Sequence, residues 1–368
     1  MGAAKPTIIV TGISSSLGKR LSAFLSDYEV IGVDLKPPDA HTSFQFVAMD
    51  LSKEESCLEL TSLIQSSKAI GVVHLAFLAA HASPDLSDSD RLWHNNVAGT
   101  ARVMEAITEA NRDLHIVEKF IYPSSGLVYG TELSKAAAED AALSDQTSSE
   151  QIPPYVQQLV EADNVVKERA PGLRGCSIFM LRPQALVGAG FQNYAIDAFR
   201  GTVQGTSRHA VRLRSKNKKL SYVLPFGDDY LQNRMQFVHV DDLMRLISYI
   251  LARTEPEAQR LTVLNVAGRS DALTLEQCLA VSKAEIRRVP GKWVAQHMLE
   301  RRWKAGISTV PPELLPYLIE QNLLDTDKLR KFLGPDYESV IHFTNADAFS
   351  DSFRFEAIRS AQPSIVGS

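Results

Sequence analysis

The stretch that most constrains the fold is Thr7–Gly18, where an apolar run is followed by a glycine turn. Ile8, Ile9 and Val10 are typical of a strand that is buried on both faces of a sheet. Gly12 allows a tight turn, and the apolar residues beyond it recur at helical spacing. A turn between a strand and a helix leaves backbone N–H groups free at the helix N-terminus, where a dinucleotide pyrophosphate can bind. The stretch therefore predicts a strand–turn–helix unit with a dinucleotide site.

The turn is incomplete as a glycine motif, because Ser15 stands where such turns carry their middle glycine. A second feature supports the dinucleotide site, since the next strand, Glu29–Val33, is followed directly by Asp34. A carboxylate about 20 residues beyond the turn accepts hydrogen bonds from ribose hydroxyls and repels a 2′-phosphate. We therefore expect NAD(H) as the cofactor, and Lys36 is the residue that favours the alternative, NADP(H).

Composition places the chain among ordinary globular proteins. Its 368 residues are 45% hydrophobic, which is enough for a full core. The formal net charge of −4 gives no overall attraction to nucleic acid or to an anionic membrane. The three cysteines are far apart in sequence, so neither a disulfide framework nor a metal site is expected. With a strand beginning by Thr7 and no apolar run of membrane-spanning length, we expect a cytoplasmic protein.

Four further apolar runs alternate with helical segments: Phe44–Met49, Ile70–Ala76, Lys119–Pro123 and Cys176–Leu181. This alternation predicts a parallel, doubly wound α/β sheet. Asp50 follows the first of these runs and is placed either to meet an adenine amino group or to cap the next helix. Small residues after the second run let a cofactor lie against the backbone.

Taken in order, these segments resemble the extended short-chain dehydrogenase/reductase family, which contains nucleotide-sugar epimerases and dehydratases. The matching segments are Gly12–Gly18, Asp34, Asp50-Leu51, His74-Leu75-Ala76, Asn95–Thr100, Ser124–Gly130, Pro154-Tyr155, Leu181–Gly190, Phe237–Asp242 and Asp325–Gly334. The resemblance implies a Rossmann-type NAD(P)-binding domain over residues 1–185, to which residues 236–268 return. It also implies a smaller C-terminal α/β substrate domain, formed by residues 186–235 and 269–368.

The resemblance also implies roles for individual residues. Cofactor contacts fall on the glycine turn and on the strand ends: Gly12, Ser15, Ser16, Leu17, Gly18, Asp34, Asp50, Leu51, Leu75, Ala76, Phe77, Asn95, Ser124, Tyr155 and Pro183. Ser125 occupies the position of the serine that polarises the substrate oxygen, and Tyr155 that of the tyrosine that transfers a proton. The substrate side is assigned to His81, Tyr129, Gln184 and Arg234. Arg234 is either a ligand for a substrate anion or a solvated charge.

One departure from the family concerns the chemistry directly. The family carries a lysine one helical turn beyond its tyrosine, and here that position is Leu159. The lysine charge lowers the pKa of the tyrosine, which without it stays at about 10. A lost shift of ~2 pKa units corresponds to ~2.7 kcal/mol. Lys167 cannot replace it, because it lies roughly 18 Å further along the helix at about 1.5 Å per residue.

Two functions follow. The first is an NAD-dependent oxidoreductase or epimerase/dehydratase-like enzyme acting on a carbonyl or hydroxyl group of a small molecule, sugar-like or phosphorylated. The alternative is a non-catalytic NAD(H)-binding sensor or structural protein of the same fold, which Leu159 favours. A nucleic-acid-binding module would depend only on the basic run at residues 208–219, and that run is typical of an exposed loop or of a phosphate site.

Relatives often dimerise through two helices that correspond to residues 95–111 and 155–169. Apolar residues on these segments are compatible with a homodimer: Val103, Ile107, Val156, Leu159 and Val160. Leu159 has a packing role in that arrangement instead of a chemical one.

Overall fold

The computed structural model describes residues 4–38, 44–77, 89–114, 116–131, 133, 135–144, 152–254 and 261–361. The strands of this part of the chain are β1 (Thr7–Thr11), β2 (Glu29–Asp34), β3 (Gln45–Ala48), β4 (Gly71–His74), β5 (Lys119–Pro123), β6 (Ser177–Pro183), β7 (Ala185–Val187), β8 (Tyr222–Pro225), β9 (Arg234–Met235), β10 (Phe237–His239), β11 (Thr262–Val266), β12 (Leu273–Thr274) and β13 (Ile286–Val289).

The α-helices are α1 (Ser16–Ser22), α2 (Ser56–Ser67), α3 (Ser89–Trp93), α4 (Gly99–Leu114), α5 (Pro154–Arg169), α6 (Tyr194–Arg200), α7 (Arg208–Ser215), α8 (Asp229–Gln232), α9 (Val240–Ala252), α10 (Leu275–Ser282), α11 (Gly291–Lys304), α12 (Leu315–Ile319), α13 (Asp327–Leu333), α14 (Tyr337–Val340) and α15 (Asn345–Ala361). A turn of π-helix, His94–Ala98, precedes α4, and a 3₁₀ turn, Gly126–Tyr129, follows β5.

Seven parallel strands form the central sheet in the order β11-β6-β5-β4-β1-β2-β3. From β1 the chain moves to one side through β2 and β3, and from β4 it moves to the other side. The order therefore reverses between β1 and β4, which is where parallel sheets open a ligand crevice at the carboxyl ends of their strands. The Rossmann-type fold expected from the sequence is confirmed.

Hydrophobic cores cover both faces of this sheet because alternate strand residues point to opposite sides. On β1, Ile8 packs in a core that includes Leu243 and Ile247 of α9. Its neighbour Ile9 packs in the second core, which includes Leu60 of α2 and Ile107 of α4. Strand β1 is thus buried from both sides, as its β-branched sequence predicts.

The C-terminal region adds three two-stranded sheets, which pair β7 with β10, β9 with β12, and β8 with β13. They surround a separate core that contains Phe199, Phe237 and Phe349. Strand β10 pairs with β7 and not with the central sheet, whereas β11 pairs with β6 and α9 packs on the sheet. Within residues 236–268, β10 therefore lies outside the central sheet, although its Val238 packs in the same core as Leu243 of α9.

The basic run does not form the exposed loop that the sequence suggested. Its first eight residues form α7, with a cap from Ser207, whose hydroxyl accepts the N–H of Ala210 at 3.1 Å. Ala210 is buried, so one face of this short charged helix packs against the chain. The cap, the packing of Ala210 and Leu213 against Val203 and Ile307, and the hydrogen bonds from Arg214 to the carbonyls of Val203 and Gly205 order this charged helix.

The residues assigned to a dimer face lie inside one chain. Val103, Ile107, Val156, Leu159 and Val160 are each at most 3% exposed. They fill the chain's own cores and cannot supply an intermolecular surface, so that assignment is wrong. A homodimer stays a prediction that needs another face.

The thiols carry no bridge, since Cys57, Cys176 and Cys278 are all free. Among the residues that the structure describes, no cluster of three His, Cys, Asp or Glu side chains is arranged to bind a metal ion. None of the described helices combines the length and the apolarity needed to cross a bilayer.

Candidate active site

At the glycine turn, backbone segments lie so close together that a side chain on Gly12 or Gly18 would not fit between them. Gly12 has a φ of 70°, and a Cβ added to it would lie 2.6 Å from the carbonyl carbon of Leu75. A Cβ on Gly18 would lie 2.5 Å from the Gly12 oxygen. The missing middle glycine is tolerated because Ser15 has a φ of −67°, which any residue adopts. Its hydroxyl accepts the N–H of Gly18 at 3.0 Å and so caps α1.

The first two amides of α1 belong to Ser16 and Leu17, and a helix leaves such amides without an internal partner. Both residues line a cleft of about 450 Å³ at the carboxyl edge of the sheet. The cradle formed by Gly12 and Gly18, with free amides beside it, fits a dinucleotide pyrophosphate.

Asp34 is fixed beside this turn at the end of β2. Its two carboxylate oxygens accept the N–H of Ser14 at 3.0 Å and that of Leu35 at 2.7 Å. Each oxygen keeps a lone pair for a further donor, such as a ribose hydroxyl. Asp50 instead binds Ser52, through the backbone N–H at 3.0 Å and through the hydroxyl at 2.6 Å, in the turn that precedes α2. The helix-cap alternative is wrong, because the N-cap of α2 is Glu55.

Two polar side chains, those of His74 and Asn95, hold the ends of neighbouring elements together. His74, at the end of β4, contacts the hydroxyls of Thr11 at 2.7 Å and Thr100 at 3.1 Å. Burial lowers the pKa of His74 to about 4, so it is neutral at physiological pH. Asn95 donates to the carbonyl of Ala76 at 3.3 Å. These contacts fix where β1, β4 and α4 meet below the cleft.

The cleft collects most of the residues that the sequence assigned to the chemistry. Eleven of them line it: Ser15, Ser16, Leu17, Leu75, Phe77, Ser124, Ser125, Tyr155, Pro183, Gln184 and Arg234. Others lie outside its lining: Gly12, Gly18, Asp34, Asp50, Leu51, Ala76, Asn95 and Tyr129. His81 lies outside the described residues.

Tyr155 stands at the start of α5 and meets Phe77 edge-on, with 6.1 Å between the ring centroids. Burial raises the pKa of Tyr155 to about 12. Leu159, one helical turn on, lines the same cleft with an aliphatic side chain. Among the described residues of the lining, Arg234 carries the positive charge and Glu320 the negative one.

Tyr194 and Tyr317 also line the cleft near Tyr155. No sequence motif had identified Tyr194 as a site residue. Burial raises the pKa of Tyr194 and Tyr317, and for Tyr194 the nearness of Tyr155 adds to the effect. Tyr317 donates to the carbonyl of Leu127 at 3.4 Å. The end of the cleft that holds Tyr155 is thus lined by neutral phenols.

A buried polar network lies behind Ser124. The Ser124 hydroxyl donates to Asp163 at 2.5 Å, and Asp163 pairs with Arg182 at 2.8 Å. Arg182 also donates to the hydroxyl of Tyr129 at 2.6 Å, which in turn donates to Asn265 at 2.8 Å. Tyr129, expected on the substrate side, is therefore placed by the structure in this network, where it is 1% exposed.

The fold and the cleft define a Rossmann-type protein with a site for a dinucleotide at the switch point of a parallel sheet. The family model described as the NAD dependent epimerase/dehydratase family matches residues 8–267. The chain belongs to this family, which confirms both the resemblance seen in the sequence and, at the level of the family, NAD as its cofactor. No protein with a curated description matches the chain.

Several solved structures share the fold at low sequence identity. UDP-glucuronic acid 4-epimerase from Bacillus cereus, in complex with UDP-glucuronic acid and NAD, is 18% identical with a TM-score of 0.64, and the match covers 97% of this chain and 100% of that one. MoeE5 in complex with UDP-glucuronic acid and NAD is 19% identical with a TM-score of 0.63, covering 96% and 99%. A UDP-galactose 4-epimerase is 18% identical with a TM-score of 0.61, also covering 96% and 99%.

Proposed function

We propose that the protein is an NAD-dependent oxidoreductase or epimerase/dehydratase-like enzyme for a sugar-like small molecule that carries a carbonyl or hydroxyl group. The observation that carries this proposal is the meeting of Ser125, Tyr155 and the first turn of α1 in one cleft. A substrate oxygen held there lies between a proton donor and the place where the cofactor binds.

NAD(H), when bound, supplies or accepts a hydride at the substrate carbon. The residues that hold it are the amides of Ser16 and Leu17 at the pyrophosphate and the carboxylate of Asp34 at a ribose. Asp34 also repels a 2′-phosphate, which favours NAD(H) over NADP(H). The segment Leu75–Phe77 presents backbone to the cofactor at the end of β4.

Ser125 and Tyr155 act on the substrate oxygen. The Ser125 oxygen accepts the N–H of Leu127 at 3.2 Å, which leaves its O–H to donate to the substrate. Because the pKa of Tyr155 is about 12, only about one molecule in 10⁵ carries the phenolate at neutral pH. Tyr155 is therefore a proton donor, and reduction of a carbonyl, in which oxygen gains a proton as carbon gains hydride, is the favoured direction.

The proposed substrate class is supported by the solved relatives and by the side chains at the open end of the cleft. Two of the solved structures, MoeE5 and the Bacillus cereus epimerase, hold UDP-glucose and UDP-glucuronic acid. In this chain Arg234 is exposed at the cleft and is placed for a substrate anion, while Gln184 lines the interior. A sugar-like molecule with a phosphate group fits both.

The alternative is an NAD(H)-binding protein without turnover. Leu159 in place of a cation and the raised pKa of Tyr155 both favour it. Under this alternative the cleft binds NAD(H), and the hydroxyls of Ser125 and Tyr155 hold a ligand without reacting.

Calorimetric titration of NAD(H) and NADP(H), with Asp34→Ala as the comparison, tests the cofactor site. Single-turnover mixing of the NADH complex with 4-keto sugar nucleotides, and of the NAD⁺ complex with 4-hydroxy sugar nucleotides, followed by nicotinamide absorbance, then separates the two functions. Turnover that is lost in Tyr155→Phe supports the enzyme. Tight NAD(H) binding with no hydride transfer to any of these compounds supports the alternative, and no binding of either cofactor contradicts both.

A further inference from the structure

A second concave surface lies in the C-terminal region, outside the lining of the cofactor cleft. This basic groove has a volume of about 450 Å³ and lies between α7, β13 and α11. Its basic side chains are His209, Arg287, His297, Arg301 and Arg302. Apolar residues from α11 and the segment after it complete the lining.

The positive charge of the basic groove is poorly compensated. Among the described residues that line it, none is acidic. Arg302 is held by Ser221, through the backbone carbonyl at 2.7 Å and the hydroxyl at 3.0 Å, and neither contact neutralises the guanidinium. Burial, and then the nearness of Arg287, lowers the pKa of Arg302. Such like-charge crowding is relieved by a bound anion.

The nearby carboxylate does not remove this charge. Glu300 contacts Lys304 at 2.5 Å and His297 at 3.4 Å, so it is already engaged along the helix. Arg287 and Arg301 are exposed. Guanidinium groups in this state bind phosphate oxygens through paired, charge-assisted hydrogen bonds.

An aromatic surface flanks the basic groove. Trp293 is 76% exposed, although tryptophan is usually well buried. Its ring stacks on His297, with centroids 5.8 Å apart and an interplanar angle of 9°. A flat exposed ring beside a basic rim is the arrangement on which nucleic-acid bases stack.

We propose that the basic groove is a nucleotide site, in which Arg287, Arg301 and Arg302 bind phosphate oxygens while a base stacks on Trp293. The site is separate from the cofactor cleft and does not depend on the function proposed for it. The nucleotide is either free or part of a single strand, since both present the same base and phosphate.

The sequence alone could not assemble this site. Of the basic run 208–219, His209 alone reaches the lining, and the run brings no exposed aromatic residue with it, since Tyr222 at its edge is buried. The aromatic platform comes from α11, about 80 residues further on. The rest of α7 adds exposed charges such as Arg208 and Arg212, which attract anions over a longer range.

Fluorine NMR of protein labelled with 5-fluorotryptophan tests the proposal at the site itself. The chain has three tryptophans, and Trp293→Phe assigns the resonance. Inorganic pyrophosphate, ADP and hexathymidylate are titrated separately. The expected result is a saturable shift of the Trp293 resonance with ADP or hexathymidylate, which a ligand bound in the cofactor cleft does not produce.

Variants locate the phosphate contacts. Arg287→Ala/Arg301→Ala is expected to weaken binding about tenfold or more. The matched control, Lys328→Ala/Lys331→Ala, removes the same charge from exposed positions on α13 and is expected to change affinity less than about twofold. For hexathymidylate, a fourfold rise in salt lowers affinity about twentyfold if three phosphates are bound.

The affinities of ADP and hexathymidylate distinguish a free nucleotide from a nucleic-acid strand as the ligand. Tighter binding of ADP identifies a free nucleotide, and tighter binding of hexathymidylate identifies a strand. The proposal is overturned if no probe gives a saturable shift, or if the control variant loses as much affinity as the arginine variant. Pyrophosphate binding as tightly as ADP contradicts the role of Trp293.

Discussion

At position 155 the side chain and its surroundings set the direction of proton transfer. A pKa of about 12 means that Tyr155 is protonated throughout the physiological range. Reduction, which needs the phenol, is expected to be independent of pH from neutrality to about pH 10. Oxidation needs the phenolate, so its rate is expected to rise about tenfold for each pH unit over the same range. Single-turnover rates in both directions measure this. An oxidation rate that levels off near pH 7 means that another group lowers the pKa of Tyr155.

Leu159, one helical turn after Tyr155, can be replaced to lower the pKa of the tyrosine. Leu159→Lys places a cation on the face of α5 that carries Tyr155, and it is expected to lower the tyrosine pKa. A shift of ~2 units raises the phenolate fraction, and with it oxidation at neutral pH, about 100-fold. Leu159→Met keeps the volume without a charge and is expected to leave the rate unchanged. Equal rates for the two variants would show that position 159 serves packing alone.

At the scale of the element, the start of α1 depends on Ser15. Ser15→Ala removes the hydroxyl that accepts the N–H of Gly18 and is expected to cost about 1 kcal/mol of unfolding free energy. Ser15→Gly restores the family's glycine and is expected to cost only a few tenths of a kcal/mol. Urea unfolding measures both variants. A larger loss for the glycine variant would mean that Ser15 does more than cap the helix.

Helix α5 is tied to β6 by the ion pair of Asp163 and Arg182, in which both side chains are fully buried. Asp163→Ala leaves a buried guanidinium without its partner and is expected to destabilise the fold by about 3–5 kcal/mol. Replacing both partners, as Asp163→Leu/Arg182→Met, is expected to restore much of that loss. Unfolding free energies of the single and the double variant measure this. A double variant as unstable as Asp163→Ala would show that the ion pair itself, and not the unpaired buried charge, accounts for the loss.

At the scale of the whole molecule, patterns that are local in sequence predicted the central sheet and the turn well. The strand β5 and the position of Asp34 follow from short apolar runs and their spacing. Contacts between distant residues could not be predicted, since Arg182 meets partners that are 19 and 53 positions away. The pairing of β10 with β7 was missed for the same reason, because an apolar triplet does not specify its neighbour. Helix α7 was also missed, because a run of basic residues is typical of an exposed loop. Its N-cap and its one buried residue, Ala210, stabilise it.

The same molecule is proposed to carry two sites, and hydrogen exchange with NAD can separate them. Cofactor in the cleft occupies the amides of Ser16 and Leu17, so exchange is expected to slow at the start of α1 and at the end of β4. Strands β8 and β13, which lie by the basic groove, are expected to exchange at unchanged rates. Mass spectrometry of peptides from both regions, with Asp34→Ala as the control, measures this. Protection that spreads evenly over both regions would indicate that NAD stabilises the whole fold, and protection of β8 and β13 alone would place NAD in the wrong site.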